Sequence, residues 1–497
     1  MDKLMKKLMA DGAAEYFDVK PAHVAVTDIA PSGSGREYVR LTDTTSGQTL
    51  IGVSGPVKDE NKAFIYIARQ IHKAGIPAPR IINVAQDKSA YIISDNGRLS
   101  LFDIITRARA ESADGTLPAD VMRMCREAMR LLVRIQLTMG RKLDFSKCYP
   151  VSEVTRQAVL WDLNYFKYCF LKPVLDNIDE AALEADFERM SMALTNPGLA
   201  TGFQYRDFQS RNIMIDDEGR LTPIDFQGGR RGMLLYDVAS FIWQAKAGFT
   251  DKERKELVDA YHEAFVDHRD GYNISRSELD TQLQLATTFR QLQTLGAYGF
   301  RGLIQHKAHF MTSLPIALAN LNARVSAREL RDYPAIAAAI RAAAQAWNVA
   351  TDLQRLTPGR LTVTVTSFSF KKGYPVDTSG NGGGFVFDCR GMHNPGRYEE
   401  YKHLTALDRP VSDFLHKRGE CDTFVANAAK LVGPTVANYL ERGFQSLSVA
   451  FGCTGGHHRS VYCTEHFAKE IAKAFPEADV RIIHRELLQE NRWTPRQ

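Results

Sequence analysis

The sequence has no apolar run approaching the roughly 18 to 20 residues that cross a bilayer. Its charged opening, Met1-Asp2-Lys3-Leu4-Met5-Lys6-Lys7, meets no apolar h-region before Asp11-Gly12, so neither a membrane span nor a secretory leader is expected. Cysteine is sparse: seven in 497 residues, an odd number without a CxxC pair, which excludes a disulfide scaffold and reads as free thiols in a reducing, cytoplasmic setting. Charge of one sign is lacking too. Sixty-three basic against 58 acidic residues leave +5 with no long single-sign run, so composition demands no nucleic-acid partner. A GxxxxGK[ST] string is absent, which excludes a P-loop nucleotide site. At about 150 residues per domain, the length suggests two to four domains.

What the sequence does have is Tyr205-Arg206-Asp207-Phe208-Gln209-Ser210-Arg211-Asn212, followed by Pro223-Ile224-Asp225-Phe226. Kinase-type phosphoryl transfer needs a carboxylate that orients the acceptor hydroxyl and takes its proton. A second carboxylate and an amide hold magnesium on the nucleotide phosphates. Asp207 fits the base, and Asn212 and Asp225 fit the magnesium ligands. The apolar runs Ile213-Met214-Ile215 and 221–224, joined through Asp217-Glu218-Gly219, predict a β-hairpin that brings all three to one end. A lone D-x-x-x-x-N would be three polar loop residues; the hairpin and the second Asp favour the functional reading.

Upstream, residues 1–98 read as a small β-rich lobe. Alternation at Val24-Ala25-Val26-Thr27-Asp28-Ile29, a turn at Gly33-Ser34-Gly35, and strands at 38–41 and 49–53 precede a helix over 60–74, with further strands at 80–84 and 90–94. Residues 99–350 are helical in pattern around the hairpin, and the Ala-rich 334–350 is helical by propensity. A linker is placed at 351–360. Strict alternation in Leu361-Thr362-Val363-Thr364-Val365-Thr366 then opens an α/β segment over 361–497.

Within that segment, Gly452-Cys453-Thr454-Gly455-Gly456-His457-His458-Arg459-Ser460 lies between an apolar strand and a helical pattern. Such a loop turns backbone N–H groups toward one anion at a helix N-terminus, and Arg459 can clamp it. The spacing Cys453-x5-Arg459-Ser460 is also that of cysteine-dependent phosphatases, with Asp388 or Asp408 as acid. Anion binding is the preferred reading. Zinc on Cys453, His457 and His458 is disfavoured, because a compact turn directs such ligands poorly.

The catalytic strings, with Ile224-Asp225-Phe226-Gln227 and Tyr236-Asp237-Val238-Ala239-Ser240, resemble the aminoglycoside phosphotransferase and choline kinase superfamily over roughly 20–345. Within it they look most like the anomeric N-acetylmuramate/N-acetylglucosamine kinases of cell-wall recycling. The resemblance implies an α+β protein-kinase-like bilobal fold, with a small β lobe and a large helical lobe, followed by a separate α/β domain. It implies ATP and Mg2+ as cofactors, an amino-sugar substrate phosphorylated at C1, and Gly33, Ser34 and Gly35 over the phosphates, although a hairpin turn wants glycine anyway. One departure stands out. The third strand, Leu50-Ile51-Gly52-Val53, lacks the lysine that kinases place on the phosphates, and Gly52 is near that slot. Arg36 and Arg40, on one face by the period of two, are either its replacement or solvated strand residues. Trp161, Asp162 and Tyr165 on a helical insert, and Arg290, are the family-based candidates for the sugar. Asp237 reads as a cap or anchor for its helix, and Tyr205 as a packing aromatic.

Residues 361–490 resemble the C-terminal domain of RapZ-type proteins through Ser367-Phe368-Ser369-Phe370-Lys371-Lys372-Gly373, Phe387-Asp388-Cys389-Arg390, His393-Asn394-Pro395, Leu404-Thr405-Ala406-Leu407-Asp408 and the glycine-rich loop. Relatives sense an amino-sugar phosphate, and some bind a small RNA. The implied partner is a phosphosugar effector at Cys453, Thr454, Gly455, Gly456, His457, His458, Arg459 and Ser460. RNA is not favoured, because the ATPase half of those relatives is missing; a homo-oligomer stays open. The alternatives are a non-catalytic RNA-binding or metabolite-sensing regulator, and a kinase for another small molecule such as an aminoglycoside or choline.

Overall fold

Successive strand residues point to opposite faces, and that parity decides what covers the first sheet. In the computed structural model, which describes residues 1–29, 35–112, 115–175, 177–268, 274–305, 307–353, 360–375, 384–490 and 492–493, the sheet is antiparallel. Its order is β1 (Val24–Ile29), β2 (Glu37–Asp43), β3 (Thr49–Ser54), β5 (Ala90–Ser94) and β4 (Ile81–Val84). A helix over Lys3–Phe17, not singled out in the sequence, buries Met9, Ala13 and Ala14 against Val24, Val39, Leu41, Leu50 and Ile92 on one face. Asp2 caps it, accepting the Met5 N–H at 2.7 Å. On the other face, Phe64 of the helix Lys58–Lys73 stacks on Tyr91 with ring centroids 5.1 Å apart.

The helical lobe includes Ala119–Lys142, Arg156–Phe166, Glu180–Leu194, Leu235–Ile242, Asp251–Asp267 and Arg276–Tyr298. Two small sheets carry residues 205–212 between them. β6 (Leu99–Ser100), β8 (Ile213–Ile215) and β9 (Leu221–Pro223) form one, and β7 (Thr201–Gln204) pairs with β10 (Arg230–Met233) in the other. The expected hairpin is present, with Ile213 opposite Pro223 and Ile215 opposite Leu221.

The chain divides into two compact units, one of residues 1–167, 179–296 and 323–337, the other of 168–178, 297–322 and 338–497. Of the linker placed at 351–360, residues 354–359 lie outside the described residues. The second unit contains a four-stranded parallel sheet ordered β12 (Phe385–Asp388), β13 (Ser446–Cys453), β11 (Thr362–Ser369) and β14 (Asp479–His484). β11 is buried along its whole length, its threonines included. The alternation of its sequence therefore does not mark a half-solvated strand; both faces of a central parallel strand are covered. Among the described residues no helix is long and apolar enough to cross a membrane.

Candidate active site and anion-binding loop

The hairpin register brings the three predicted residues together. Ile224 N–H donates to the Asn212 carbonyl at 2.8 Å, so Asn212 and Asp225 sit at the same end. Asn212 donates through Nδ2 to the Asp207 carbonyl at 2.9 Å and to Asp207 Oδ2 at 3.2 Å, which leaves its amide oxygen to ligate. Gln227 donates to Asp225 Oδ1 at 2.7 Å. Asp225 has φ +69° and Arg206 φ +88°, a backbone region that non-glycine residues occupy sparingly and that concentrates at functional loops. Tyr205 is fully buried, its hydroxyl donating to the Ile224 carbonyl.

Asp237 holds the loop from beneath. It does not cap its own helix, Leu235–Ile242. Its carboxylate accepts the N–H of Tyr205 at 2.7 Å, the N–H of Arg206 at 2.8 Å and Gln136 Nε2 at 2.8 Å. Burial pushes this carboxyl up to about 7, against those three donors, which favour the anion.

Burial would raise the Asp207 carboxyl as well, but Arg290 and Arg211 outweigh it and hold the group below the usual carboxylate range. Arg290 Nη2 lies 2.8 Å from Oδ1, and Arg211 Nη2 3.6 Å from Oδ2. Asp225 moves the other way, raised by burial and by the Asp207 charge. A carboxylate held up by a like charge is relieved by a divalent cation, so the donor set of Asn212 Oδ1 and the Asp225 carboxylate fits magnesium.

The sugar candidates separate. Trp161 is 53% exposed, and Tyr165 is half-buried. Asp162 and Arg290 instead join one network beside Asp207. Arg206 Nη2 contacts both Asp162 oxygens at 2.8 and 3.2 Å, Gln293 donates to Asp162 at 3.4 Å, and Arg290 Nη1 reaches Gln293 at 2.6 Å and the Tyr236 hydroxyl at 3.0 Å. Arg206 and Tyr236 stand in the strings quoted from the sequence but received no role there, and Gln293 lies in no motif. Buried Arg230, lowered to about 10 by burial and by neighbouring Arg206, adds a further cation on this side.

Gly33 and Ser34 lie outside the described residues. Arg36 is 3% exposed, with Nη2 3.4 Å from Glu60 on the helix Lys58–Lys73 and Nη1 3.9 Å from Asp225. Arg40 instead forms an ion pair with Asp95 at 2.6 Å. Gly35 stands just ahead of Arg36, and among the described residues an added Cβ there would meet Pro56 at 3.7 Å. The position of Gly52 corrects the sequence reading. A Cβ there would meet Val39 Cγ2 at 2.9 Å and Met9 Sδ at 3.1 Å, so a side chain at 52 points toward the helix Lys3–Phe17, away from Phe64 and Tyr91. Phe64 also stacks on Phe226 at 4.8 Å and 3°, tying the β lobe to the residue after Asp225.

In the second unit, Cys453 ends β13 and Arg459 opens the helix Arg459–Ala474. Gly456 N–H donates to Cys453 Sγ at 3.2 Å, and Ser460 Oγ lies 3.1 Å from the same sulfur. Arg459, 4% exposed, donates through Nη1 to the carbonyls of Arg390 and Met392 at 2.9 and 2.8 Å. Its Nη2 is 3.5 Å from Thr454 Oγ1, and its Nε is buried without a hydrogen-bond partner among the described residues. Thr454 and Gly455 are exposed at the tip. The histidines face different ways: His457 pairs with Glu490 at 2.9 Å, and His458 donates to the Leu404 and Tyr401 carbonyls at 2.9 and 3.1 Å. Burial lowers the His458 imidazole, which suits a neutral ring bracing the loop. Among the described residues no three His, Cys, Asp or Glu side chains converge as a metal site. A chain of Ser367 Oγ, His484 and Glu465, with contacts of 2.9 and 3.1 Å, was not foreseen. Ser367 and His484 are fully buried, so it braces the core.

Residues 29–273 match the phosphotransferase enzyme family, and residues 361–488 match the RapZ C-terminal domain. A nucleotide-binding protein of Alteromonas mediterranea is 41% identical over 131 residues, 26% of this chain and 44% of that protein. One of Corynebacterium efficiens is 34% identical over 125 residues, 25% of this chain and 38% of its own. The chain thus spans less than half the length of these curated relatives. An ethanolamine kinase of Plasmodium vivax aligns over 65% of this chain and 89% of its own, with a TM-score of 0.46 and 12% identity. A choline kinase of Streptococcus pneumoniae aligns over 65% and 100%, with a TM-score of 0.44 and 11% identity. The chain accordingly carries a phosphotransferase-family domain over 29–273 and a RapZ C-terminal domain over 361–488.

Proposed function

We propose that residues 1–350, a β lobe over 1–98 and a helical lobe over 99–350, form an ATP-dependent small-molecule kinase. The acceptor is the anomeric C1 hydroxyl of an amino sugar, N-acetylmuramate or N-acetylglucosamine, in cytoplasmic cell-wall recycling. Residues 361–497 then bind a phosphosugar or similar anion as a regulatory effector. The observation that carries this reading is the convergence of Asp207, Asn212 and Asp225 at one hairpin end, with Asp207 kept ionised by Arg290.

In this reading Asp207 Oδ2, more lightly held than Oδ1, takes the acceptor proton. Asn212 and Asp225 hold magnesium, which when bound neutralises charge building on the transferred phosphoryl group. Arg36, tethered by Glu60 and close to Asp225, supplies the phosphate-side cation that β3 lacks. Arg290 and Arg230 make the acceptor side cationic, which suits the carboxylate of N-acetylmuramate.

The test is incubation of the full chain with ATP, Mg2+ and each sugar, followed by phosphorus NMR. An acid-labile sugar 1-phosphate is expected, and Asp207→Asn should lose it by roughly 10²- to 10⁴-fold. Absence of transfer to either sugar overturns the substrate assignment.

A further inference from the structure

The loop between β13 and the helix Arg459–Ala474 holds more than an anion needs. A binding loop requires N–H groups and a cation, whereas this one also turns the Gly456 N–H onto a thiol, Cys453, itself 3% exposed. Cys453 Sγ accepts Gly456 N–H at 3.2 Å and has Ser460 Oγ at 3.1 Å, two donors able to stabilise a thiolate. The second observation is Arg459. In a guanidinium group Nε–H and one Nη share an edge, the edge that grips two oxygens of a phosphate. Nη1 is committed to the carbonyls of Arg390 and Met392, while Nη2 reaches toward Thr454 of the loop at 3.5 Å. The edge bearing buried Nε, which has no hydrogen-bond partner among the described residues, thus faces the loop, in a residue only 4% exposed.

We propose that the C-terminal loop is a phosphomonoester hydrolase centre with Cys453 as nucleophile, Arg459 and the loop N–H groups as the phosphate cradle, and His457 as proton carrier. This rests on the anion-binding reading of the loop and goes beyond it. The cysteine thiol first gives its proton to solvent. Sγ attacks phosphorus, so an S–P bond forms as the ester P–O bond breaks, and the departing alkoxide takes a proton from His457. Water then attacks phosphorus, the S–P bond breaks with its electron pair returning to Sγ, and the proton of the water passes to His457. The products are an alcohol and inorganic phosphate. His457 stands on the loop, with Nδ1 3.4 Å from where a Cβ on Gly455 would sit, and Glu490 pairs with its Nε2 at 2.9 Å. The acids suggested by the sequence are engaged elsewhere. Asp388 is bound by Arg390 at 2.7 Å, and Asp408 accepts the Thr405 N–H at 2.7 Å and its hydroxyl at 3.0 Å.

The experiment uses the full chain without ATP. Tungstate, a phosphate mimic, reads the cradle through a rise in melting temperature, and p-nitrophenyl phosphate with an alkyl phosphate reads hydrolysis. Expected are a tungstate shift, p-nitrophenol release, and a phosphoryl adduct on the Cys453 peptide after acid quench. Cys453→Ser should keep the shift and lose release and adduct. His457→Asn should slow steady-state turnover of both esters about 10²-fold or more, yet leave the initial burst of p-nitrophenol and the phosphoryl adduct, since only p-nitrophenolate departs without a proton. A tungstate shift without adduct or release overturns the hydrolase and leaves the anion site standing; absence of the shift overturns both. Release that persists in Cys453→Ser also overturns it.

Discussion

Asp207 and Arg290 meet at 2.8 Å, so with Asp207 as the proposed base Arg290 bears on its ionisation as well as on the proposed acceptor. Losing the guanidinium removes a charge that favours the carboxylate. In Arg290→Gln the acid limb of the kcat/KM profile should therefore move up by about 1 to 3 pH units, and an unmoved limb would show that Arg290 does not set the ionisation of Asp207. Asp207, Asn212 and Asp225 were legible because strand, turn and spacing fix them locally. The Arg290 contact was not, since it joins residues 83 apart in sequence. Arg36 could be named as a candidate, but only tertiary packing distinguishes its contact with Glu60 from the Asp95 pairing of Arg40.

At the scale of elements, the helix Leu235–Ile242 holds the backbone at Tyr205 and Arg206 through Asp237. A carboxyl pushed from 3.8 to about 7 binds its extra proton only in the folded chain. Its contribution to stability is whole below the unfolded value and is lost as pH rises through the folded one, at no more than ~1.4 kcal/mol per pH unit. The stability of the protein relative to Asp237→Asn, from urea unfolding at several pH values, should fall between about pH 4 and 7; a constant difference would contradict the assignment. The helix Lys3–Phe17 makes a second case. Gly52→Ala places a methyl group against the branched Val39, and a cost of about 1 to 3 kcal/mol is expected in thermal or urea melts. The sequence shows the period of two in β3. It does not show which face a helix takes, which is why the lysine slot was placed at Gly52.

At the scale of the molecule, the Asp207 hairpin and the Cys453 loop lie in separate compact units. The α/β character of the second was legible from its alternating strands and helices, whereas the full burial of β11 needed its place between β13 and β14. The first unit is discontinuous, since residues 323–337 belong to it. Arg324 is 5% exposed and donates to Gln291 at 2.8 Å, Thr288 at 3.0 Å, the Gln284 carbonyl at 3.1 Å and Glu329 at 2.7 Å, while Ile336 N–H donates to Asp186 at 2.9 Å. A chain ending at 322 should lose these contacts, and limited proteolysis should then cut within 276–296, a span protected in the full chain. The same discontinuity constrains synthesis on the ribosome. Asp207, Asn212 and Asp225 emerge long before Arg324 and Ile336 leave the exit tunnel, so the nascent chain carries their hairpin for about a hundred residues before the helices held by Arg324 and Ile336 can lock.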